Sequence, residues 1–189
     1  LNLFYTIDDS DKSVVGINNS YANFKNTPWL INGAQDKQNK IVFDRAFEEV
    51  IFDNINMSYE NEEVLLNAAI QDTQNKNITV DFKNVDLAKV TPEIKNLKLG
   101  GNLNGQLNIS QLESVYLPKS NLTIDNLALN DFNLGSFKAA IKGNQSLTNY
   151  DVNIALKDGD VESLSVVGSL DVSGENSELN LDINFDDLM

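Results

Sequence analysis

Histidine and cysteine are both absent from the 189-residue sequence. Their absence excludes Ser-His-Asp and Cys-His nucleophile systems, zinc sites built on imidazole or thiolate, and every disulfide. The composition still allows enzymes that use carboxylates, as in glycoside hydrolysis. It also allows metal sites with oxygen ligands for Ca²⁺ or Mg²⁺. A chain without cysteine is compatible with an exported bacterial protein, although many cytosolic chains also lack this residue.

Positive charge is scarce as well. The chain has 14 lysine and arginine residues against 28 aspartate and glutamate residues, which gives a formal net charge of −14. Arg45 is the single arginine, and the lysines are scattered along the sequence, so no basic stripe is predicted. Without such a stripe the chain has little to neutralise nucleic-acid phosphates or to grip anionic lipid headgroups. We therefore expect no nucleic-acid partner.

Long apolar runs are also missing. No run of apolar residues exceeds three, whereas a membrane-spanning helix needs roughly 20. The amino terminus lacks a charged region followed by an apolar stretch, which is the signature of a secretion signal. The sequence begins at Leu1, inside a predicted strand over residues 1–7. This start leads us to expect a segment of a longer protein.

Alternation of apolar and polar residues with a period of two dominates what is present, and it is typical of half-buried antiparallel strands. It is clearest over residues 97–109, where leucine, glycine and isoleucine occupy one parity and mostly polar residues the other. Gly100, Gly101 or Gly105 is expected to mark a bulge or turn in this long strand. The same spacing predicts strands at residues 41–43, 55–59, 64–70, 78–82, 122–124, 127–129, 137–141, 152–156, 164–172 and 179–185.

These segments predict an all-β chain of roughly ten to thirteen strands. Only one short helix is expected, within residues 85–95. There Asp86 is a candidate N-cap, Leu87, Val90 and Ile94 have helical spacing, and a proline limits the length to about two turns. Strands with one apolar face form a sandwich, a closed barrel or a long open sheet curved into a gutter. The alternation alone leaves these three architectures open.

Residues that could carry chemistry form only weak patterns. Residues 8–11 and 158–162 resemble fragments of calcium loops, but both lack the roughly twelve-residue spacing of such a loop. Adjacent carboxylates such as Glu48 and Glu49 lie on opposite faces of a strand, so they cannot flank one glycosidic bond. Trp29, the sole tryptophan, is expected to be a structural anchor. We therefore predict no catalytic residue, no metal site and no cofactor.

One ordered string is more informative. The chain has a predicted strand from Ile78, a short turn of helix ending near Pro92, and then a strand from Leu97 to Ile109 in which leucines alternate with glycines and polar residues. This order resembles the repeat of the TamB family, the translocation and assembly module proteins of Gram-negative envelopes, within the AsmA-like superfamily of bridge-like lipid-transfer proteins. The flanks are similar to Bacteroidetes-like members at residues 26–32, 39–44, 51–59, 122–130, 134–135 and 167–170.

The resemblance, which covers roughly residues 24–185, implies a segment of a very long periplasmic protein that is anchored in the inner membrane and reaches the outer membrane. It implies an elongated sheet curved into a β-taco, which is an open gutter with an apolar interior. It also implies an outer-membrane barrel partner of the Omp85 class and a role in outer-membrane biogenesis, through phospholipid movement and outer-membrane protein assembly. We expect residues 1–189 to be a single β-rich, non-enzymatic segment, with residues 1–96 and 97–189 as candidate sub-repeats.

An apolar gutter of this kind would hold phospholipid acyl chains, because exposing each CH₂ group to water costs about 0.8 kcal/mol. The candidate lining is the apolar parity of the clearest strands: Leu99, Leu103, Leu107, Ile109, Leu122, Ile124, Val152, Ile154, Leu156, Leu164, Val166, Leu170, Val172, Leu179, Leu181, Ile183 and Phe185.

Two alternatives stay open for the same residues. They would also fill the closed, dry core of a structural or adhesive β-domain from a secreted or surface protein, with calcium in its Asp-rich turns. A carboxylate-dependent glycan enzyme or glycan-binding module would instead need exposed aromatic side chains in a cleft. Aromatic residues make up 8% of the chain, with one tryptophan, which offers little for that third interpretation.

Overall fold

The chain folds almost entirely into β-strands. A computed structural model describes residues 1–35, 39–72, 74–92, 97–113, 115–130, 132–144, 148–174 and 176–186. Within these residues the strands are β1 Leu3–Ile7, β2 Ser13–Ile17, β3 Ser20–Phe24, β4 Thr27–Ile31, β5 Lys40–Phe43, β6 Glu49–Tyr59, β7 Glu62–Gln71, β8 Asn75–Asp86, β9 Leu99–Leu112, β10 Val115–Leu129, β11 Phe132–Gly143, β12 Asn149–Asp158, β13 Val161–Asp171 and β14 Glu178–Phe185. The helix, α1, is Leu87–Val90.

The strands form one open antiparallel sheet. Its order is β1-β2-β5-β6-β7-β8-β9-β10-β11-β12-β13-β14, and β4 joins the β3–β4 hairpin to β6. In the described part of the chain, β1 and β14 each pair on one side only, so the sheet is not closed into a barrel. The predicted all-β fold, with an open antiparallel sheet and at most one short helix, is confirmed.

Two compact units divide the chain. Unit 1 comprises residues 1–85 and 108–117, and unit 2 comprises residues 86–107 and 118–189. The ends of β9 and β10 that flank residue 113 therefore group with unit 1, while the remaining parts of both strands group with unit 2. The sub-repeats expected at residues 1–96 and 97–189 stay a prediction.

In unit 1 the antiparallel register gathers apolar residues on one face. Phe52 on β6 pairs with Ala68 on β7, and Ala68 pairs with Ile78 on β8. On the same face Trp29 packs against Tyr59, with 6.2 Å between the ring centroids. Trp29 is buried, as a structural anchor should be.

A bulge keeps the apolar side chains of β6 on that face. Phe52 pairs with Ala68, but the next pair is Ile55 with Leu66, so β6 has one extra residue there. Asn54, inside the bulge, has a left-handed φ of 50°, which asparagine tolerates better than most residues. The apolar parity of β6 therefore changes from even to odd numbers while its direction toward one face is kept.

The same arrangement joins two segments that the alternation predicts as separate strands. Residues 122–124 and 127–129 belong to one strand, β10, with a register shift between Ile124 and Leu127. Asn126 has a φ of 54° at this point. The separation of the two segments is wrong, because a bulge shifts the parity without ending the strand.

Strand β9 runs without interruption through its glycine-rich stretch. Gly101 and Gly105 have φ angles of 118° and 111° inside the single strand Leu99–Leu112. A Cβ atom on Gly105 would collide with the backbone carbonyl of Asn121 on β10. These glycines therefore do not turn the chain; they allow the two backbones to approach closely.

Helix α1 is a single turn. The Asp86 carboxylate accepts a hydrogen bond of 2.9 Å from the N–H of Ala88, which is the predicted N-cap. The N–H and hydroxyl of Thr91 both donate to the Leu87 carbonyl and end the turn. Ile94, which the spacing also places in the helix, lies outside the described residues. Among the residues described, no helix has the length and apolar character needed to cross a bilayer.

Candidate functional site

Most of the candidate lining residues in unit 2 lie on five neighbouring strands, β10 to β14. Leu122 pairs with Ala139, Ala139 with Ile154, Ile154 with Val166, and Val166 with Ile183. Residues directly opposite each other on neighbouring strands share one face of a sheet. These five side chains therefore form one row across the five strands.

Three further rows lie on the same face, because side chains two residues apart along a strand point the same way. They are Ile124, Phe137, Leu156, Leu164 and Phe185; Ser120, Ile141, Val152, Gly168 and Leu181; and Gly143, Tyr150, Leu170 and Leu179. We call the surface formed by these four rows the apolar face. It contains twelve of the seventeen candidate residues, because Leu99, Leu103, Leu107, Ile109 and Val172 lie outside the rows.

The register adds residues that the lining prediction omitted. Phe137, Ala139 and Ile141 on β11 lie between the candidate residues of β10 and those of β12. Their own alternation was the signal, since residues 137–141 were already predicted to be a strand. Tyr150 is a further addition, because it precedes the predicted segment 152–156 and continues its parity.

Burial changes across the apolar face. Val152, Leu156 and Val166 are buried in the middle of it, on β12 and β13. Leu122, Ile124, Ile154, Leu164 and Leu170 are half-buried. On β14, by contrast, the four candidate residues are exposed, from 42% for Leu181 to 69% for Phe185. The apolar face is therefore buried at β12 and β13 and accessible to solvent at β14.

The remaining candidate residues have separate positions. Leu99, Leu103 and Leu107 are half-buried on the part of β9 that belongs to unit 2. Val172 follows β13, is buried, and donates its N–H to the Thr148 carbonyl at 2.8 Å. Ile109 belongs to unit 1 and is 37% exposed, so the structure does not group it with the other sixteen.

Tyr150 brings a hydroxyl group into the apolar face. Its side chain is 1% exposed, and its hydroxyl oxygen has no hydrogen-bond partner among the residues described. Burial disfavours the phenolate and raises the pKa of Tyr150. The hydroxyl of Tyr150 therefore stays protonated and neutral, and the ring packs as an apolar group.

The opposite face of unit 2 is mostly polar. The register places Lys138 beside Ala155, Lys142 beside Asp151, and Ser165 beside Asn184 on this side. The division between one apolar and one polar face is what the period of two predicts for half-buried strands.

A separate cavity of about 590 Å³ lies in unit 1, and most of the residues that line it are polar. Asn32 donates its side-chain amide to the Ile17 carbonyl at 2.7 Å, and the Asn39 side chain accepts from the N–H of Asn56 at 3.0 Å. Asn56 also donates to Glu63. These bonds link the residue after β4 to β2, the residue before β5 to β6, and β6 to β7.

The Asp-rich turns show ordinary turn bonding. Asp8 accepts from the N–H of Ser10 at 2.9 Å and of Lys12 at 3.0 Å, which is a side-chain cap of the turn. Gly159 supplies the left-handed φ of 58° in the β12–β13 turn. Within the described ranges, no group of three or more Asp or Glu side chains is placed to hold a metal ion.

Comparisons of the chain with models of protein families, with curated proteins and with solved structures find no match. The apolar face and its register are thus the observations on which a functional interpretation rests.

Proposed function

We propose that this chain is a segment of a periplasmic, TamB-like protein whose apolar face shields phospholipid acyl chains between the inner and outer membranes. The observation that carries this proposal is the apolar face of unit 2, which continues across five strands and becomes exposed on β14. The resemblance of residues 24–185 to the TamB repeat supports the same interpretation.

The mechanism is shielding rather than catalysis. Each CH₂ group removed from water contributes about 0.8 kcal/mol, so an acyl chain laid along a continuous apolar row is stabilised without a specific contact. Such contacts are non-directional, so a chain slides along the rows at little cost in free energy. The polar headgroup stays in water, where its hydration is retained.

The proposal includes the cellular setting that the resemblance implies. The full-length protein would be anchored in the inner membrane and would act with an outer-membrane barrel of the Omp85 class. In that setting the segment serves outer-membrane biogenesis, including assembly of outer-membrane proteins, and needs no cofactor. The net charge of −14 favours hydration of the outside of the sheet.

Native mass spectrometry of the purified chain, followed by organic extraction, tests the proposal by identifying bound phospholipid. The informative variant is Leu181→Asp with Ile183→Asp, because both side chains are already exposed and their replacement should cost little folding free energy. We expect this variant to lose at least about five-fold in binding of a fluorescent phospholipid, since charge is not tolerated beside an acyl chain.

The matched control is Asn180→Asp with Asn184→Asp. These residues lie on the same strand, add the same charge and occupy the opposite face, beside Ser169 and Ser165. Phospholipid binding should be unchanged in this control. Equal losses in both variants, or no uptake of phospholipid by the unmodified chain, would overturn the proposal. The variants Leu170→Asp, in the apolar face, and Leu103→Asp, on β9, with Asn104→Asp as control, extend the same test to transport by the full-length protein.

The second candidate is a structural or adhesive β-domain with a dry core. The burial of Tyr150, Val152, Leu156 and Val166 favours it, because these side chains already exclude water without a lipid. This candidate predicts a lipid-free chain whose stability does not change when phospholipid is added. In its calcium-dependent form, it also predicts that EDTA lowers the melting temperature by several degrees.

A further inference from the structure

Unit 2 contains a cleft of about 360 Å³ at β10 and β11. Three exposed lysines line it, Lys119, Lys138 and Lys142, and the rest of the lining comes from Gln106, Ser120, Asn121, Ala140 and Ile141. All eight residues belong to unit 2. The chain has a net charge of −14, so three neighbouring cations give this cleft a charge opposite in sign to that of the protein as a whole.

The register explains why lysines that are far apart in sequence become neighbours. Ser120 pairs with Ile141, and Lys119 and Lys142 are the next residues along β10 and β11 from that pair. Lys138 lies four residues from Lys142 on β11 and pairs with Thr123. The period of two places all three lysines on the face opposite to Ile141, and therefore away from the apolar face.

The cleft lysines differ in their bonding from six other cations of the chain. Lys12, Lys40, Lys83, Lys89, Lys157 and Arg45 each form an ion pair with a carboxylate. For the cleft lysines, no carboxylate of the described residues lies within ion-pair distance, although Asp151 on β12 is the cross-strand neighbour of Lys142. Like charges opposite each other on neighbouring strands destabilise a sheet. An anion in the cleft would remove that repulsion.

We propose that the cleft binds a phosphate group, as a phosphate monoester or diester. Lysine ammonium groups are compact point charges that bind phosphate oxygens without a fixed geometry, and side-chain amides add neutral hydrogen-bond donors. The volume falls in the range of sites for small molecules. The site goes beyond the proposed function, because its lysines lie on the face opposite to the apolar face and phosphate binding does not need the apolar face to hold lipid.

Titration of the whole chain with glycerol 3-phosphate, followed by backbone amide NMR shifts, tests the site. We expect saturable one-to-one binding, with the largest shifts at β10 and β11. A parallel arm measures flotation with vesicles of phosphatidylglycerol in phosphatidylcholine, which tells a lipid headgroup from a free phosphate ester as the source. The variant Lys119→Gln, Lys138→Gln, Lys142→Gln should weaken binding by at least about ten-fold, because charge-assisted bonds are lost.

Two controls keep the test specific. The variant Lys25→Gln, Lys83→Gln, Lys98→Gln removes the same charge from exposed lysines outside the cleft and should bind within about two-fold of the unmodified chain. The variant Lys119→Arg, Lys138→Arg, Lys142→Arg keeps the charge and should also bind, even if the glutamine variant folds poorly. Absence of saturable binding in both arms, or equal weakening by the control outside the cleft, would overturn the proposal.

Discussion

The ring of Tyr150 on β12 lies opposite Leu170 on β13, and its buried hydroxyl meets no hydrogen-bond partner in the described part of the chain. A buried hydroxyl without a partner loses its hydration and gains nothing in return. The ring stabilises the fold by packing, whereas the unpartnered hydroxyl of the same side chain destabilises it.

Replacing Tyr150 with phenylalanine should therefore stabilise the fold. We expect the free energy of unfolding to rise by about 1 kcal/mol, because the desolvation penalty of the hydroxyl is removed. Tyr150→Ala serves as the comparison and should lower it by about 3 to 5 kcal/mol through the cavity it leaves. Urea denaturation followed by circular dichroism measures both. A loss of stability in the phenylalanine variant would mean that the hydroxyl is bonded.

Alanine should be tolerated at Gly100 and not at Gly105, although both residues lie on β9. At Gly105 the φ of 111° is unfavourable for alanine, and its Cβ would collide with the Asn121 carbonyl, so we expect a loss of about 2 kcal/mol or more. At Gly100 the nearest atom to an added Cβ is the Cβ of Ala128 at 3.6 Å. That contact is ordinary, and Gly100→Ala should change stability by less than about 1 kcal/mol. Equal effects at both positions, measured by urea denaturation, would contradict this account of β9.

The turn after β7 should make stability depend on pH. Asp72 accepts from the N–H of Gln74 at 2.6 Å and from the side-chain amide of Asn75 at 3.0 Å. These bonds, led by the one from Gln74, hold the pKa of Asp72 below its usual value. A carboxyl group whose pKa is lower in the folded chain stabilises it above the unfolded pKa, and this contribution is lost as the pH falls through the folded pKa.

We therefore expect Asp72→Ala to lower the melting temperature at neutral pH. The difference from the unmodified chain should shrink below about pH 4, where the carboxyl group becomes protonated in the unfolded chain. Thermal melts between pH 2 and pH 7, in roughly one-unit steps, measure this difference. A difference that stays constant over the whole range would show that the charge of Asp72 does not stabilise the turn.

The alternation in the sequence was enough to predict the strands of unit 2 and most of their apolar residues. Val152, Val166 and Ile183 keep one parity along their strands, so the period of two already places them on one face, as the pairing does. The same reasoning fails at Asn126. The bulge there adds one residue and shifts the apolar parity, which a fixed period of two cannot predict. Strands β2, β3 and β4 are not predicted for a different reason: their sequences, SVVGI, SYANF and TPWLI, place apolar residues next to each other and give no regular alternation.

The lysine cleft could not be predicted at all. Lys119 and Lys142 are neighbours only because Ser120 pairs with Ile141, and the register of two strands depends on how the whole apolar set is buried. Their scattered positions in the sequence predict no concentrated positive charge. Composition thus gives the net charge of the chain, whereas the pairing of strands determines which charged side chains become neighbours.

Strand β14 pairs only with β13 among the described residues, which leaves its other edge without a strand partner there. Its outer edge offers backbone groups for a further strand, and its exposed apolar residues would favour fibre growth through that edge. On the other face of the same strand lie Glu178 and Asp182. Two copies joined antiparallel through β14 would bring these carboxylates together, and the resulting repulsion opposes the pairing. Colloidal stability of the chain should accordingly fall as ionic strength rises, because salt screens this repulsion.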